Sequence, residues 1–201
     1  GTMDDNRLLK GGNNGETSSR WQYAFLLLFA FLSAFPANAA DEKVVINEIM
    51  YHPPNDLEAL EYIELHNPTP TPVDLSGWAF TKGIRYTFPD GIKIQPNGYI
   101  VVCRNLSLFR EMYGQDINAL GHFDGALANG GEPIELSDRH HNTVDGVTYD
   151  DRPPWPVGAD GYASSLERIS HKAPSNTAWN WAPSPLPLTE HRPTGTPGRQ
   201  N

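Results

Sequence analysis

Short apolar runs separated by proline and glycine make up most of the chain after its N-terminal region. Residues 44–51 are rich in β-branched side chains and end before a Pro-Pro pair, which lacks two backbone donors. Residues 61–67 alternate, so that Ile63 and Leu65 point to one face of a strand and Glu64 points to the other. The pattern predicts two strands here. Later runs predict further short strands over 79–82, 84–88, 92–94, 99–103, 132–138, 143–149 and 165–169.

One segment has the periodicity of a helix. Asn105 or Ser107 is a suitable N-cap for a helix over residues 106–113, and Gly114 follows as a stop. Residues 115–128 are punctuated by glycine and are expected to form an irregular crossover. Frequent turn signals with no long amphipathic helix between them predict a β-sandwich or barrel, and not βαβ units.

The inward positions of the predicted strands define an expected core. Trp78 follows a tight turn, and its size makes it the expected anchor of that core. Cys103 is the single cysteine and lies in an apolar run, so we expect a buried, unreactive thiol and no internal disulfide. The expected core residues are Ile46, Ile63, Leu65, Trp78, Val101, Ile134, Leu136 and Val147.

The composition changes after residue 151. Prolines become frequent, and tryptophans fall among few aliphatic residues. We expect a sandwich domain over residues 40–170, followed over residues 171–201 by a C-terminal arm that lies across the sandwich. Its aromatic side chains are expected to anchor the arm, and its last stretch, from about Leu186, is expected to be mobile.

Residues 1–39 form a different kind of segment. Basic residues precede an apolar run over residues 23–35, and Ala37 and Ala39 then match the small-x-small pattern of signal peptidase sites. The apolar run is shorter than the ~20 residues that cross a bilayer. It predicts a secretory signal peptide cleaved after Ala39, with an uncleaved N-terminal membrane anchor as the alternative. The expected location is therefore extracellular or at the cell surface, with no stable membrane association after cleavage.

The charge of the chain argues against one class of partner. The formal net charge is −9, and acidic residues outnumber basic ones over residues 41–151. A phosphate-binding surface needs the opposite sign of charge. Direct binding of nucleic acid is therefore not expected.

A series of short motifs occurs in a fixed order along the chain. They are INEIMYHPP, EYIELHN, VDLSGW, FPDG, PNGYIVV, NGGEPIEL, VDGVTYDD and SLERI. In this order, over residues 41–169, the motifs resemble those of the lamin-tail domain in its bacterial secreted form. A weaker similarity follows over residues 179–181 and 195–198. The resemblance implies an all-β, immunoglobulin-like β-sandwich without a recognised active site. The chain departs from such relatives at the turn over residues 139–142, where they tend to have a simple glycine turn.

Some acidic side chains are candidates for a metal site. Oxygen-rich loops suit Ca²⁺, although no twelve-residue EF-hand loop is present in the sequence. The alternative is that these carboxylates only keep the surface soluble. His140 and His141 are adjacent in a predicted hairpin turn, which favours a solvated turn over a zinc site, and no other cofactor is expected. The Ca²⁺ candidates are Asp145, Asp150, Asp151 and Asp160.

Glu48 and Glu64 are the plausible acid and base for a hydrolase, because they could meet across paired strands. The alternative is that each carboxylate is solvated or pairs with Arg85 or Lys93. The sequence has no GxSxG, Cys/His or P-loop pattern. No catalytic residue is therefore assigned.

Three aromatic residues are candidates for a carbohydrate platform, because flat apolar rings stack on sugars. They are Tyr51, Trp155 and Tyr162. The alternative role for them is packing in the core or anchoring the arm.

The sequence as a whole predicts a non-catalytic extracellular module that binds or tethers. Its partner is expected to be a surface polysaccharide or a protein. The alternatives are a small secreted hydrolase that uses Glu48 and Glu64, and an accessory module of a larger secreted enzyme.

Overall fold

The computed structural model describes residues 43–186 and 193–201. The predicted signal peptide lies outside these residues, as do residues 187–192 of the C-terminal stretch that was expected to be mobile. Within the two described stretches, no helix is both long and apolar enough to cross a membrane.

Short strands dominate the described residues, as the sequence predicts. The strands are β1 (Val45–Met50), β2 (Tyr62–His66), β3 (Val73–Asp74), β4 (Ala79–Lys82), β5 (Tyr86–Thr87), β6 (Lys93–Ile94), β7 (Tyr99–Cys103), β8 (Ala119–Gly121), β9 (Pro133–Ser137), β10 (Thr143–Thr148), β11 (Leu166–Arg168) and β12 (Trp181–Pro183). The helix α1 covers Leu106–Tyr113, and single 3₁₀ turns cover Pro54–Asp56, Glu58–Leu60, Val157–Ala159 and Ala178–Asn180. Helix α1 begins where its cap predicts, because Asn105 Oδ1 accepts a hydrogen bond of 3.1 Å from the backbone N–H of Leu108.

The described strands form a sandwich of two main sheets. One sheet has the order β12-β11-β1-β2-β7-β8, the other has the order β10-β9-β4-β5, and β3 pairs with β6 in a small ribbon. Among these strands β7 and β8 run parallel, and the other pairs are antiparallel. The predicted all-β, immunoglobulin-like sandwich with one short helix is confirmed.

The two central strands, β1 and β2, are buried on both faces. Their inner face joins the main core between the sheets, where six of the expected core residues lie, each at most 2% exposed. These six are Ile46, Ile63, Leu65, Ile134, Leu136 and Val147. Val101 is also fully buried, but it lies in a second, smaller cluster with Met50, Tyr62 and Phe109 of α1. Cys103 lies in this second cluster, and burial raises the pKa of its thiol to about 11.

Trp78 is not the anchor of the core, which corrects the prediction. The side chain is only half-buried and packs against the core from its edge. A turn closed by the hydrogen bond from Trp78 N to Leu75 O, at 2.9 Å, directs Leu75 inward instead. Leu75 is 0% exposed and Phe80 is 3% exposed, so these two residues fill the core on either side of the tryptophan.

The described part of the C-terminal arm contributes a strand to the sandwich. Residues 43–186 and 193–201 belong to one compact unit. Both β11 and β12 extend the six-stranded sheet, and Trp181 of β12 is 3% exposed, with its indole N–H donating to Ser175 O at 2.7 Å. Trp179, in contrast, is 67% exposed and anchors nothing. Residues 194–201, which were expected to be mobile, make the specific hydrogen bonds described below.

We expect Leu75→Ala to lower the free energy of unfolding by about 2–5 kcal/mol, because it leaves a cavity in the core. Leu57 is 47% exposed, so Leu57→Ala is the matched control, with an expected change of about 0.5 kcal/mol or less. Urea unfolding of the two variants and the unmodified protein measures both effects. Equal losses in the two variants would contradict this assignment of the core.

Candidate functional site

Three glutamates lie side by side on the outer face of the six-stranded sheet. Glu48 of β1 is the register partner of Glu64 of β2 and of Glu167 of β11. The sequence predicts that Glu48 and Glu64 meet, and the structure brings them together, but it adds Glu167, which the sequence analysis missed. We call Glu48, Glu64 and Glu167 the carboxylate row. The exposed fractions are 0%, 0% and 8%.

Residues 194–201, which we call the closing segment, cover the carboxylate row. The backbone N–H of Thr196 donates to Glu48 Oε1 at 3.1 Å, and the hydroxyl of Thr196 donates to Glu167 Oε1 at 3.0 Å. The backbone N–H of Gly198 donates to Glu64 Oε2. Each carboxyl group of the row therefore receives a hydrogen bond from the closing segment.

Both ends of the closing segment are fixed to the sandwich. At its start, Thr194 donates its backbone N–H to Ala163 O at 2.7 Å, and its carbonyl accepts a bond of 3.1 Å from the hydroxyl of Tyr113 on α1. At its end, the Asn201 side chain donates to Asn47 O at 3.0 Å and to Arg168 O at 3.2 Å. The segment is held along its whole length.

Gly195 explains why the closing segment approaches the sheet so closely. Its φ is +123°, a conformation that residues with a Cβ rarely adopt. A Cβ at this position would lie 2.5 Å from Glu48 Oε1 and would also overlap the hydroxyl of Tyr62. A Cβ here would displace these groups as well as strain the backbone, which gives a physical reason for the glycine in the motif at residues 195–198.

Burial controls the protonation of the carboxylate row. Loss of solvent raises the pKa of Glu48 and of Glu64 above the ordinary value of 4.5, and the charge of Glu48 raises the pKa of Glu64 further. Burial also raises the pKa of Glu167. The hydroxyl of Tyr62, on the neighbouring strand β2, also donates to Glu48 Oε1. The alternative that Glu48 and Glu64 are solvated or paired with Arg85 or Lys93 is therefore wrong.

The arrangement favours a structural role for the row over acid/base catalysis. A pair of acids with raised pKa values is typical of catalytic sites. Here, however, backbone and side-chain donors of the closing segment occupy the positions next to the carboxyl oxygens. A substrate reaches these oxygens only if the segment leaves, so the row as it stands holds the C-terminus to the sheet.

Asp145, one of the Ca²⁺ candidates, is used in an ion pair. Its Oδ2 accepts from Arg168 Nη1 at 2.7 Å and from the backbone N–H of Ile46 at 2.9 Å. Both charged side chains are 4% exposed. Because β10 belongs to one sheet and β1 and β11 belong to the other, this ion pair joins the two layers of the sandwich.

The remaining Ca²⁺ candidates have separate partners. Asp160 contacts His52 Nδ1 at 2.6 Å, whereas Asp150 accepts from the backbone N–H of Arg152 at 2.9 Å and Asp151 lies 3.6 Å from Arg152 Nε. Within the described ranges, no three side chains of His, Cys, Asp or Glu are grouped to hold a metal ion. The four aspartates are therefore not brought together.

The predicted aromatic platform is not formed. Tyr51 is 1% exposed and packs on Tyr149 with ring centroids 4.6 Å apart. Trp155 is half-buried beside Trp181, with centroids 6.4 Å apart. Tyr162 is 64% exposed, so it alone of the three predicted residues is open to a ligand. Tyr51 is closed to a ligand because it lies on the inner face of the sheet and not on its outer face.

The chain is similar to a known protein family. The family model described as Lamin Tail Domain matches residues 37–151, more than half of the chain. No curated protein matches the chain. The matched range contains Glu48 and Glu64, but it ends before Glu167, β12 and the closing segment.

We expect the domain to be less stable at pH 8 than at pH 5. An acid whose pKa is raised by folding binds more protons in the folded state than in the unfolded state above its ordinary value, so stability falls as the pH rises toward the folded-state pKa. The expected loss is on the order of 1–3 kcal/mol. Urea unfolding at the two pH values measures the loss.

Glu48→Gln serves as the matched variant for this pH experiment. Tyr62 and Thr196 both donate to Oε1 of Glu48. A glutamine whose amide nitrogen replaces Oε2 keeps both hydrogen bonds and resembles the neutral acid. The variant should therefore depend less on pH than the unmodified protein. A stability that rises from pH 5 to pH 8, or an unchanged slope in the variant, would contradict the role of the row.

We expect Gly195→Ala to destabilise the domain more than Gly91→Ala does. Both glycines have positive φ, at +123° and +82°, but a Cβ on Gly91 has nothing within 4 Å. Gly91→Ala should therefore cost only the backbone strain, about 1–3 kcal/mol. Gly195→Ala should cost about 1–3 kcal/mol more, because its methyl group overlaps the carboxylate row. Equal losses in urea unfolding would show that the segment does not press on the row.

Proposed function

Because the chain belongs to the lamin tail domain family, whose members are β-sandwich domains and generally non-catalytic, we propose that it is an extracellular binding or tethering module. Its partner is a surface polysaccharide or a protein. The observation that carries this proposal is the closure of the carboxylate row by residues 194–201, with a hydrogen bond to each of its three carboxyl groups.

Closure of the row supports a module without hydrolytic activity. A hydrolase that used Glu48 and Glu64 would need one carboxyl group beside the scissile bond and a second beside a water molecule or the reacting carbon. In this domain the C-terminal segment occupies the space next to both groups. The raised pKa values then favour the folded structure, since burying a neutral carboxyl group costs less free energy than burying a charged one.

The N-terminal sequence supports an extracellular location. The basic residues, the apolar run over residues 23–35 and the Ala37-x-Ala39 pattern are the features of a secretory signal peptide. The net charge of −9 disfavours contact with phosphate-rich polymers. A neutral surface polymer or a protein is the partner class that remains.

Two loops at one edge of the sandwich form a connected surface. His52 joins them, because its Nδ1 lies 2.6 Å from Asp160 Oδ1 and its Nε2 lies 2.7 Å from Asp56 Oδ1. The loops expose the side chains of Leu57 and Tyr162. These loops are an alternative binding surface, and a substitution at Tyr162 distinguishes them from a surface elsewhere on the sandwich.

A combined retention and hydrolysis assay tests this function. The unmodified protein and Glu48→Gln are incubated with insoluble polysaccharides, with peptidoglycan and with generic hydrolase substrates. We expect retention by at least one of these polymers, with an affinity that changes less than about threefold in the variant, since the buried carboxyl group touches no ligand. No substrate should be hydrolysed.

The hydrolase alternative makes the opposite prediction. Loss of a proton-transfer group lowers a reaction rate by about 10²–10⁴-fold. Hydrolysis that Glu48→Gln abolishes, with an unchanged melting curve, would overturn the proposal in favour of an enzyme. Because the variant resembles the protonated acid, its fold is expected to persist, and circular dichroism provides the control.

A further inference from the structure

An open groove adjoins the covered carboxylate row on the same face of the six-stranded sheet. Its volume is about 430 Å³, within the ~300–1,000 Å³ of small-molecule sites. The rings of His66, Tyr99 and His171 line it together with the amide side chains of Asn97 and Gln200. The groove begins where the closing segment ends, and the residues that the structure describes leave this part of the sheet face uncovered.

The strand register builds the aromatic part of the groove. His66 at the end of β2 is the direct partner of Tyr99 at the start of β7. Their rings are stacked, with centroids 4.5 Å apart and an interplanar angle of 12°. The ring of His171 stands edge-on to His66 at 5.9 Å, and Ile169 beside it is 64% exposed. The groove thus has two stacked rings on strands, a third ring outside the strands, and the exposed aliphatic side chain of Ile169 at its border.

The chemistry of the lining selects a ligand without charge. Burial, with a smaller contribution from His171, lowers the pKa of His66 to about 4, so this imidazole is neutral at physiological pH. Arg168 also borders the groove, but its guanidinium is bonded to Asp145 at 2.7 Å. Asn97 and Gln200 are exposed amides that both donate and accept hydrogen bonds. A polyhydroxylated ligand with flat apolar faces matches rings and amides of this kind.

We propose that this groove binds a short segment of a neutral polysaccharide. The proposal rests on the proposed binding function and assigns it a ligand class and a place. The ring of Tyr99 stacks on a sugar face, while the amides of Asn97 and Gln200 bond its hydroxyl groups. The binding surface is then the sheet face beside the closing segment, and not the loops that carry Tyr162.

A retention experiment with neutral and charged polymers tests the groove. The probes are cellulose, chitin and an insoluble β-1,3-glucan, with polygalacturonate as the anionic polymer and an uncharged peptide resin as the polypeptide control. We expect binding isotherms to show retention by at least one neutral polysaccharide, and Tyr99→Ala to weaken it about tenfold. Tyr162→Ala is the matched control, since it removes an exposed tyrosine outside the groove, and it should leave retention unchanged.

A second variant keeps the test valid if Tyr99→Ala fails to fold. Asn97 has a φ of +55°, which glycine adopts freely, so Asn97→Gly removes the amide without straining the turn. It should weaken retention about threefold to tenfold, as expected for the loss of one hydrogen bond. Melting curves of all variants show whether the sandwich is intact.

The outcomes separate the groove from the wider function. Retention that Tyr162→Ala abolishes and Asn97→Gly leaves intact would overturn the groove and keep the binding function. Retention by polygalacturonate or the peptide resin, with none by the neutral polysaccharides, would overturn the ligand class. Hydrolysis of a neutral polysaccharide that Glu48→Gln abolishes would overturn the proposed function itself.

Discussion

The burial of three carboxyl groups on one face of the main sheet is the constraint around which this fold is arranged. Burying an unpaired carboxylate costs several kcal/mol, so Glu48, Glu64 and Glu167 need protons, hydrogen-bond donors or both. Folding supplies both, because burial raises their pKa values and residues 194–201 bring donors to all three. Strands β1 and β2 are buried on both faces as a result. The four-stranded sheet covers one face, and α1 with the closing segment covers the other. The last residues of the chain are therefore part of the core structure.

A second buried polar contact links this arrangement to the opposite sheet. The ion pair of Asp145 and Arg168 joins β10 to β11, and the carbonyl of Arg168 accepts a bond from Asn201 at the end of the closing segment. Removing one partner of a buried ion pair typically costs about 3–5 kcal/mol, because the other charge stays buried without compensation. The side chain of Arg168 thus connects β11 to the hairpin of β9 and β10, and its backbone carbonyl connects β11 to the closing segment. This connection helps to fix β11 and residues 194–201 to the sandwich.

Most of the strands, the helix and its cap were predictable because their signals are local, whereas β3, β8 and β12 were not predicted. Alternation and turn residues mark β2 and β10, and Asn105 marks the start of α1. The errors concern which face of an element is covered and by what. Trp78 and Tyr51 are both large and aromatic, yet the turn at Leu75 leaves the first at the edge of the core, and the second, which directly follows β1, is buried in the core against Tyr149. The register of Glu48 and Glu64 followed from their positions on neighbouring strands. The closing segment did not, since 148 residues separate Thr196 from Glu48 and no local pattern connects them.

The same sheet face is closed at one end and open at the other, and the two parts share residues. The covered part ends at Asn201, whose side chain bonds Asn47 O, and both residues also border the groove of His66 and Tyr99. The closing segment therefore does more than satisfy the buried carboxyl groups, because its last residues form one wall of the groove. Conditions that protonate the carboxylate row stabilise that wall, while the imidazole of His66 stays neutral at any pH well above 4. The shape of the open groove thus depends on the carboxylate row through the segment that closes it.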